Sequence, residues 1–365
     1  MLDERSFTRG FSIGIAALIE DLGVVARDRG WAGSPTDLVR AARLKQQLAL
    51  RQAHAGQLSE ACRTVAGVVR TYRRLAADEP ERFHPELALA LTGWGLWATQ
   101  IGEPQRAASL LAEAVALNRR LLRGTTAMRP MRRIRLRLAL AVASGNLGNA
   151  LGELGDQVGA AAAAEEAVGQ LRGLHRHSPL YRLLSRQDPL GSEHCMASAL
   201  NNLGVILAEL GKLDRAWELA EETTEIYRRL AALAPVVFES ELARSLHNLG
   251  LTAAEVGRTD TALAATQEAV ALHRCLQRTA PAGHRHHLGR ALCSFAKVRA
   301  AAGHDLPEAL AAAEEAVHIH EELTEKLPAA FSGDLHAAYR TASAVRRALE
   351  HRGEGRRRHD QPGGG

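Results

Sequence analysis

The sequence has few aromatic residues and no long apolar stretch, and each shortage excludes a class of structure. Aromatics make up 4% of the 365 residues, although apolar residues make up 46%. The core must therefore be built from Leu, Ala and Val, which favours α-helices over β folds that depend on aromatic and β-branched side chains. No segment reaches about 18 consecutive apolar residues, so no transmembrane helix is expected. The short apolar run at residues 11–19 has acidic residues on both sides, which is not typical of a signal peptide.

Cysteine is scarce, and recognisable catalytic motifs are missing. The four cysteines are scattered without a CxxC pair, which predicts reduced thiols and a cytoplasmic protein. The chain contains no GxxxxGK[ST], GxSxG or HExxH pattern, so no enzymatic activity and no cofactor are predicted. One group of metal-binding residue types occurs late in the chain: His273, Cys275, His284, His286, His287 and Cys293. Their spacing is irregular, and residues two apart on a helix point in different directions, so no metal site is predicted.

The positive charge is concentrated in one segment. The net charge is +5, but residues 118–138 alone hold eight arginines and no acid, so the rest of the chain is slightly acidic. No aromatic residue is interleaved with these arginines, so base stacking and nucleic-acid binding are not favoured. A solvated linker or helix face is the preferred interpretation. The abundance of Arg over Lys, together with much Ala and Gly, is typical of a high-GC bacterial genome.

A repeat of helix pairs organises most of the chain. Glycines recur at intervals of 46, 53, 56, 46 and 46 residues, namely at Gly56, Gly102, Gly155, Gly211, Gly257 and Gly303. Small residues inside the first helix of each unit keep the same intervals: Ala49, Gly95, Gly148, Gly204, Gly250 and Ala296. Small residues in the second helix follow: Ala61, Ala107, Ala160, Ala216, Ala262 and Ala309. Such a period indicates a solenoid.

The fourth unit shows the local pattern most clearly. Leu200, Leu203 and Leu207 lie on one helical face. Gly211 can end that helix in a left-handed conformation, and Gly204 leaves room for the second helix to approach closely. Prolines close four units, at Pro80, Pro235, Pro281 and Pro328. The stretch LNNLGVILAELGKLDRAWELA resembles a tetratricopeptide repeat of the long type, similar to those of kinesin light chains and actinobacterial signalling proteins.

This resemblance implies an all-α fold, a right-handed α-solenoid of about six helix-turn-helix units with half-repeats at both ends. We predict an N-terminal capping helix or partial repeat in residues 1–35, formed by residues 11–31. The six-unit solenoid is predicted for residues 36–330, a C-terminal capping helix for 331–352 and a disordered tail for 353–365. Terminal helices of this kind cover apolar faces that would otherwise be exposed.

The candidate binding residues lie in the first helices, which line the concave groove in the tetratricopeptide family. Asparagine recurs two positions before the small residue in three consecutive units, although it lowers helix propensity. An amide there could bond the backbone of an extended peptide, or it could bond a neighbouring helix and rigidify the stack. The predicted contact residues are Asn146, Asn149, Asn202, Arg244, Asn248 and Arg290.

Some chaperone-binding members of the family hold a C-terminal carboxylate with five residues over three units. Asn149, Asn202 and Arg244 match that pattern in type, but Gly145 and Asn248 stand where it has cations, so chaperone-tail binding is not favoured. The resemblance implies a non-catalytic scaffold or adaptor whose partner is a protein or peptide. Two other interpretations stay open: a ligand- or peptide-sensing regulatory protein of an actinobacterium, and self-association through the groove or the end helices.

Overall fold

The computed structural model describes residues 35–124, 129–279 and 281–359 of the chain. The predicted capping helix at residues 11–31 lies outside them. Within the described residues the fold is all-α, with fourteen helices and no strand. The helices are α1 (Pro35–His54), α2 (Leu58–Asp78), α3 (Pro80–Gln100), α4 (Pro104–Arg123), α5 (Pro130–Glu153), α6 (Gln157–His177), α7 (Pro179–Gln187), α8 (Pro189–Glu209), α9 (Leu213–Leu233), α10 (Pro235–Glu255), α11 (Thr259–Thr279), α12 (Pro281–Ala302), α13 (Leu306–Lys326) and α14 (Pro328–His359).

Glycine and proline set the boundaries of the helices. All six repeat glycines have positive φ angles, between 61° and 82°, in the left-handed region where a side chain costs about 1 kcal/mol or more. Each lies one or two residues after the end of a first helix, as the repeat pattern predicts. The four prolines expected to close units instead begin the next first helix, because proline is well suited to the first turn, where its missing N–H is not needed.

Small residues allow the helices of a pair to approach closely. The second-helix anchors Ala61, Ala107, Ala160, Ala262 and Ala309 are fully buried. A Cβ added at Gly148 would lie 3.0 Å from the carbonyl oxygen of Ala160, and one at Gly250 would lie 2.5 Å from Cγ2 of Thr266. These distances leave no room for a larger residue, so the recurrence of Gly and Ala has a steric cause.

The chain divides into two compact bodies, an N-terminal body containing α1–α8 and a C-terminal body containing α9–α14. The predicted single solenoid of residues 36–330 is thus divided within its fourth unit. In the N-terminal body the first helix α5 contacts the first helices α3 and α8, and in the C-terminal body α12 contacts α10 and α14. First helices therefore form a continuous layer within each body.

Two features go beyond the predicted repeat. The short helix α7 occupies the longest interval, that of 56 residues, between the third and fourth units. The last first-type helix, α14, has no second helix after it among the described residues, and it runs to His359, beyond residue 353, where the tail was predicted to begin.

Ion pairs connect successive second helices in a regular series. Arginines located twelve residues after the alanine anchor bond glutamates located six residues after the next anchor. The pairs and their N–O distances are Arg73–Glu113 (2.5 Å), Arg119–Glu166 (2.8 Å), Arg228–Glu268 (2.7 Å) and Arg274–Glu315 (2.5 Å). This Arg–Glu ladder was not predicted, although the two fixed offsets from the anchor are visible in the sequence.

Candidate functional site

Three of the predicted contact residues lie on neighbouring first helices of the N-terminal body. Asn146 and Asn149 are three residues apart on α5, and Asn202 is on α8, which α5 contacts. Asn149 and Asn202 are half-buried. Asn146 is only 7% exposed, and its Nδ2 atom has no hydrogen-bond partner. A buried amide N–H without a partner costs about 1–3 kcal/mol. Because Nδ2 is itself inaccessible to solvent, a guest can reach it only after the Asn146 side chain turns toward the surface.

The alternative role for these asparagines is a hydrogen bond to a neighbouring helix. Within the described part of the chain, the structure shows no side-chain hydrogen bond from Asn149 or Asn202, and none from Nδ2 of Asn146. The recurring amides of this body are thus not engaged in holding its helices together.

A separate polar network fixes α5 close to Asn146. The hydroxyl of the buried Ser144 donates to Oε2 of Glu166 on α6 at 2.6 Å, and Arg119 on α4 donates to the same carboxylate at 2.8 Å. Burial alone would raise the pKa of Glu166, but the bonds from Arg119 and Ser144 outweigh it and lower that pKa. The carboxylate therefore stays charged at neutral pH and ties α5 to both second helices beside it.

The predicted contact residues of the C-terminal body form more interactions within the protein than those of the N-terminal body. Arg244 forms a short ion pair with Glu241 one turn earlier on α10, where both side chains are largely buried. Asn248, also on α10, is half-buried and has interactions within the protein. Arg290 on α12 is the most accessible, with 57% of its side chain exposed and its Nε atom 4.0 Å from Asp334 of α14. Arg290 is thus the predicted cation best placed to meet a partner.

Two further residues belong to this face and were not predicted. Burial, followed by the positive charges of Arg290 and Lys297 and the ring of His287, lowers the pKa of His247 to about 3. Lys297 is exposed and lies seven residues after Arg290, on the same side of α12. The available signal was that α12 contains several basic residues and no acid.

The arginine-rich segment forms exposed helix surface rather than a closed site. Arg119 is paired with Glu166, and Arg132 donates to the backbone carbonyl of Glu81 at 3.3 Å. Arg129 and Arg133 are exposed at the start of α5. Across the described ranges, no three His, Cys, Asp or Glu side chains are grouped as metal ligands would be. None of the helices described is both long enough and apolar enough to cross a bilayer.

Comparison with known proteins identifies the repeat. Residues 196–231 match the family model of the tetratricopeptide repeat. The crystal structure of BtubC (BKLC) from P. vanneervenii is similar with a TM-score of 0.50 and 21% identity, covering 73% of this chain and 92% of that one. The nearly identical kinesin light chain TPR-like repeats of Podosopora anserina give a TM-score of 0.42 and 21% identity, covering 68% and 100%.

Curated proteins gave no significant match. At 21% identity, the likeness to BtubC shows the fold alone. The helix pairs, their glycine caps and the direct family match at residues 196–231 agree on the assignment. The chain thus has an α-solenoid fold of helix pairs, and residues 196–231 match the tetratricopeptide repeat.

Proposed function

We propose that this protein is a non-catalytic scaffold or adaptor that binds a protein or peptide segment on the layer of first helices. The observation that carries the proposal is the recurrence of asparagine at one repeat position in three consecutive units. Asn202 at this position is half-buried, and Asn146 has a buried Nδ2 atom without a partner. Tetratricopeptide-repeat proteins in general act as protein-interaction scaffolds, which supports the same conclusion.

An extended peptide fits the chemistry of the N-terminal body. Its backbone offers alternating N–H and C=O groups, and an asparagine side chain can accept from the first and donate to the second. Asn146, Asn149 and Asn202 present such amides from two helices in contact. Because the helices are rigid before binding, most of the ordering entropy is that of the guest, which favours affinity.

The C-terminal body offers a cationic position on its own layer of first helices. Arg290 presents an exposed guanidinium, whereas Arg244 can bind a guest carboxylate only in exchange for Glu241. Asn248 lies one turn after Arg244 on the same helix. We therefore assign Arg290 the larger part in attracting an acidic side chain or a C-terminal carboxylate.

A selection of displayed random peptides on the purified full chain tests the proposal. For the selected peptides, Asn146→Leu is expected to weaken binding at least about tenfold, which corresponds to the loss of one buried hydrogen bond. The same change should leave the free energy of unfolding unchanged or raised, because it removes an unpaired buried amide without changing side-chain volume much. Fluorescence anisotropy and urea unfolding measure the two effects.

Arg228→Ala is the matched control, because Arg228 lies on a second helix and is bonded to Glu268. It should leave peptide affinity unchanged. The proposal fails if no peptide is retained, or if Asn146→Leu and Arg290→Ala both bind as tightly as the natural chain.

A further inference from the structure

Five histidines from three helices lie close together in the C-terminal body, and a sixth, on a fourth helix, packs against α12. The proposed binding function does not use them as a group. We call them the histidine cluster: His247 of α10, His273 of α11, His284, His286 and His287 of α12, and His320 of α13. His287 is at the centre. Its ring centroid lies 3.8 Å from that of His286, 5.7 Å from that of His273 and 6.4 Å from that of His284.

The two deepest members are placed where a proton is hard to accommodate. His273 is 3% exposed, and its Nδ1 atom has no hydrogen-bond partner. His320 is fully buried, and its ring lies against the backbone of Gly289, where an added Cβ would be only 2.6 Å from Nε2. A protonated imidazole needs acceptors at both nitrogens, so a charged form of His273 would be buried without its bonds.

The other charges around the cluster are mostly positive. Arg290 and Lys297 of α12 act on His247, and Arg290 also acts on His320. Two acids face the cluster: Asp334 of α14, which lies beside Arg290, and Glu322 of α13, which bonds Arg285 at 2.5 Å. The pair Arg244–Glu241 precedes His247 on α10, and Cys293 is a nearby thiol on α12. Since both acids already have cationic partners, they do not neutralise a charged cluster.

We propose that the C-terminal body is a pH-sensitive element, which stays closed while His247 and His273 of the histidine cluster are uncharged and opens when these two take up protons in mildly acidic conditions. Helices α10–α14 would separate around α12, which supplies three of the six imidazoles. His286 also packs against Phe331 of α14, with ring centroids 5.9 Å apart, so opening at the cluster would loosen the last helix as well.

The direction of the effect follows from proton linkage. Burial, followed by the neighbouring histidines, lowers the pKa of His273 to about 3, and burial with the nearby cations lowers that of His247 to about 3. In the opened state both return to about 6.5. Their stabilising effect is therefore complete above about pH 6.5 and is lost progressively as the pH falls toward about 3. At about pH 5.5 each histidine multiplies the opening constant about tenfold, and the two together about a hundredfold.

Hydrogen exchange resolved by mass spectrometry tests this on the full chain, with protection factors compared at about pH 7.5 and about pH 5.5. We expect protection of α11 and α12 to fall about a hundredfold, while that of α3–α5 in the N-terminal body changes less than about threefold. In His273→Phe, which keeps a buried ring that cannot titrate, the loss in α11 and α12 should shrink to about tenfold. His177→Gln, an exposed position in the N-terminal body, is the control and should behave as the natural chain.

If His273→Phe does not fold, a second measurement on the natural chain tests the proposal. Proton titration of the imidazoles by NMR in the natural chain should show His247 and His273 uncharged at about pH 5.5 for as long as the C-terminal body stays closed. Ordinary titration of both near about pH 6.5 in the folded chain would overturn the proposal. So would equal loss of protection in both bodies, or an undiminished loss in a folded His273→Phe chain.

Discussion

At the scale of single residues, side chains at the same repeat position contribute differently to stability, because their surroundings differ. Glu166 and Glu268 both follow the alanine anchor by six residues, and both bond an arginine of the preceding second helix. Glu268 is 42% exposed and its pair is largely in solvent. Glu166 is 20% exposed and also accepts the hydroxyl proton of Ser144, which is fully buried. The repeat pattern predicts the pairing, but only the structure distinguishes the buried pair from the exposed one.

Glu166→Ala should therefore lower the free energy of unfolding by about 1–3 kcal/mol, because it leaves the Ser144 hydroxyl buried without a partner. Glu268→Ala should lower it by less than about 1 kcal/mol, the usual range for an exposed ion pair. Because the pKa of Glu166 is lowered in the folded chain, its contribution is present above about pH 4.3 and disappears as the pH falls below that value. Urea unfolding of both variants at neutral and acidic pH measures this, and equal losses at neutral pH would contradict it.

At the scale of helices, small anchors and glycine caps could be predicted, whereas several contacts could not. Gly211 and its equivalents predict where the first helices end, because the left-handed backbone at a helix end favours glycine at that position. The Arg–Glu ladder joins residues 40–47 positions apart, so neither helical periodicity nor capping rules point to it. Helix α7 was missed for a similar reason, since a longer interval between repeats shows that residues are added but not what they form.

Two glycines within helices of the N-terminal body should respond in opposite directions to the same substitution. Gly148→Ala would place Cβ 3.0 Å from the backbone oxygen of Ala160, and a backbone atom cannot move aside as a side chain can. We expect it to lower the free energy of unfolding by about 1–3 kcal/mol. Gly169→Ala has open space around its Cβ and should raise that free energy by about 0.5–1 kcal/mol through helix propensity. Thermal and urea unfolding give both signs, and stabilisation by both changes would show that α5 and α6 are not tightly packed there.

At the scale of the whole molecule, the sequence was sufficient for the fold class and the repeat, but not for the division into two bodies. Spacing reports equivalent positions, and the fourth unit matches the family directly at residues 196–231. The division nevertheless falls between Gly211 and Lys212, inside that unit. The histidine cluster could not be predicted from the sequence either, because its members are irregularly spaced along the chain and come together only when α10–α13 pack. For the candidate site, the sequence predicted which helices carry its residues. It did not predict the ion pair between Arg244 and Glu241.

In a solenoid stabilised by contacts between neighbouring helices, a destabilising substitution should affect only the helices close to it. Leu292 is 1% exposed in the core of the C-terminal body, packed with residues of α12–α14. Leu292→Ala should cost about 2–5 kcal/mol locally, because it removes buried apolar surface and leaves a cavity. Hydrogen exchange in α12–α14 should then speed up by at least about thirtyfold, the factor that about 2 kcal/mol produces. Exchange in α3–α5 should be unchanged, since those helices have their own core around Leu91 and Tyr72. Equal acceleration in α3–α5 would show that the two bodies unfold as one cooperative unit. In that case the C-terminal body could not open while the N-terminal body stays folded around a bound partner.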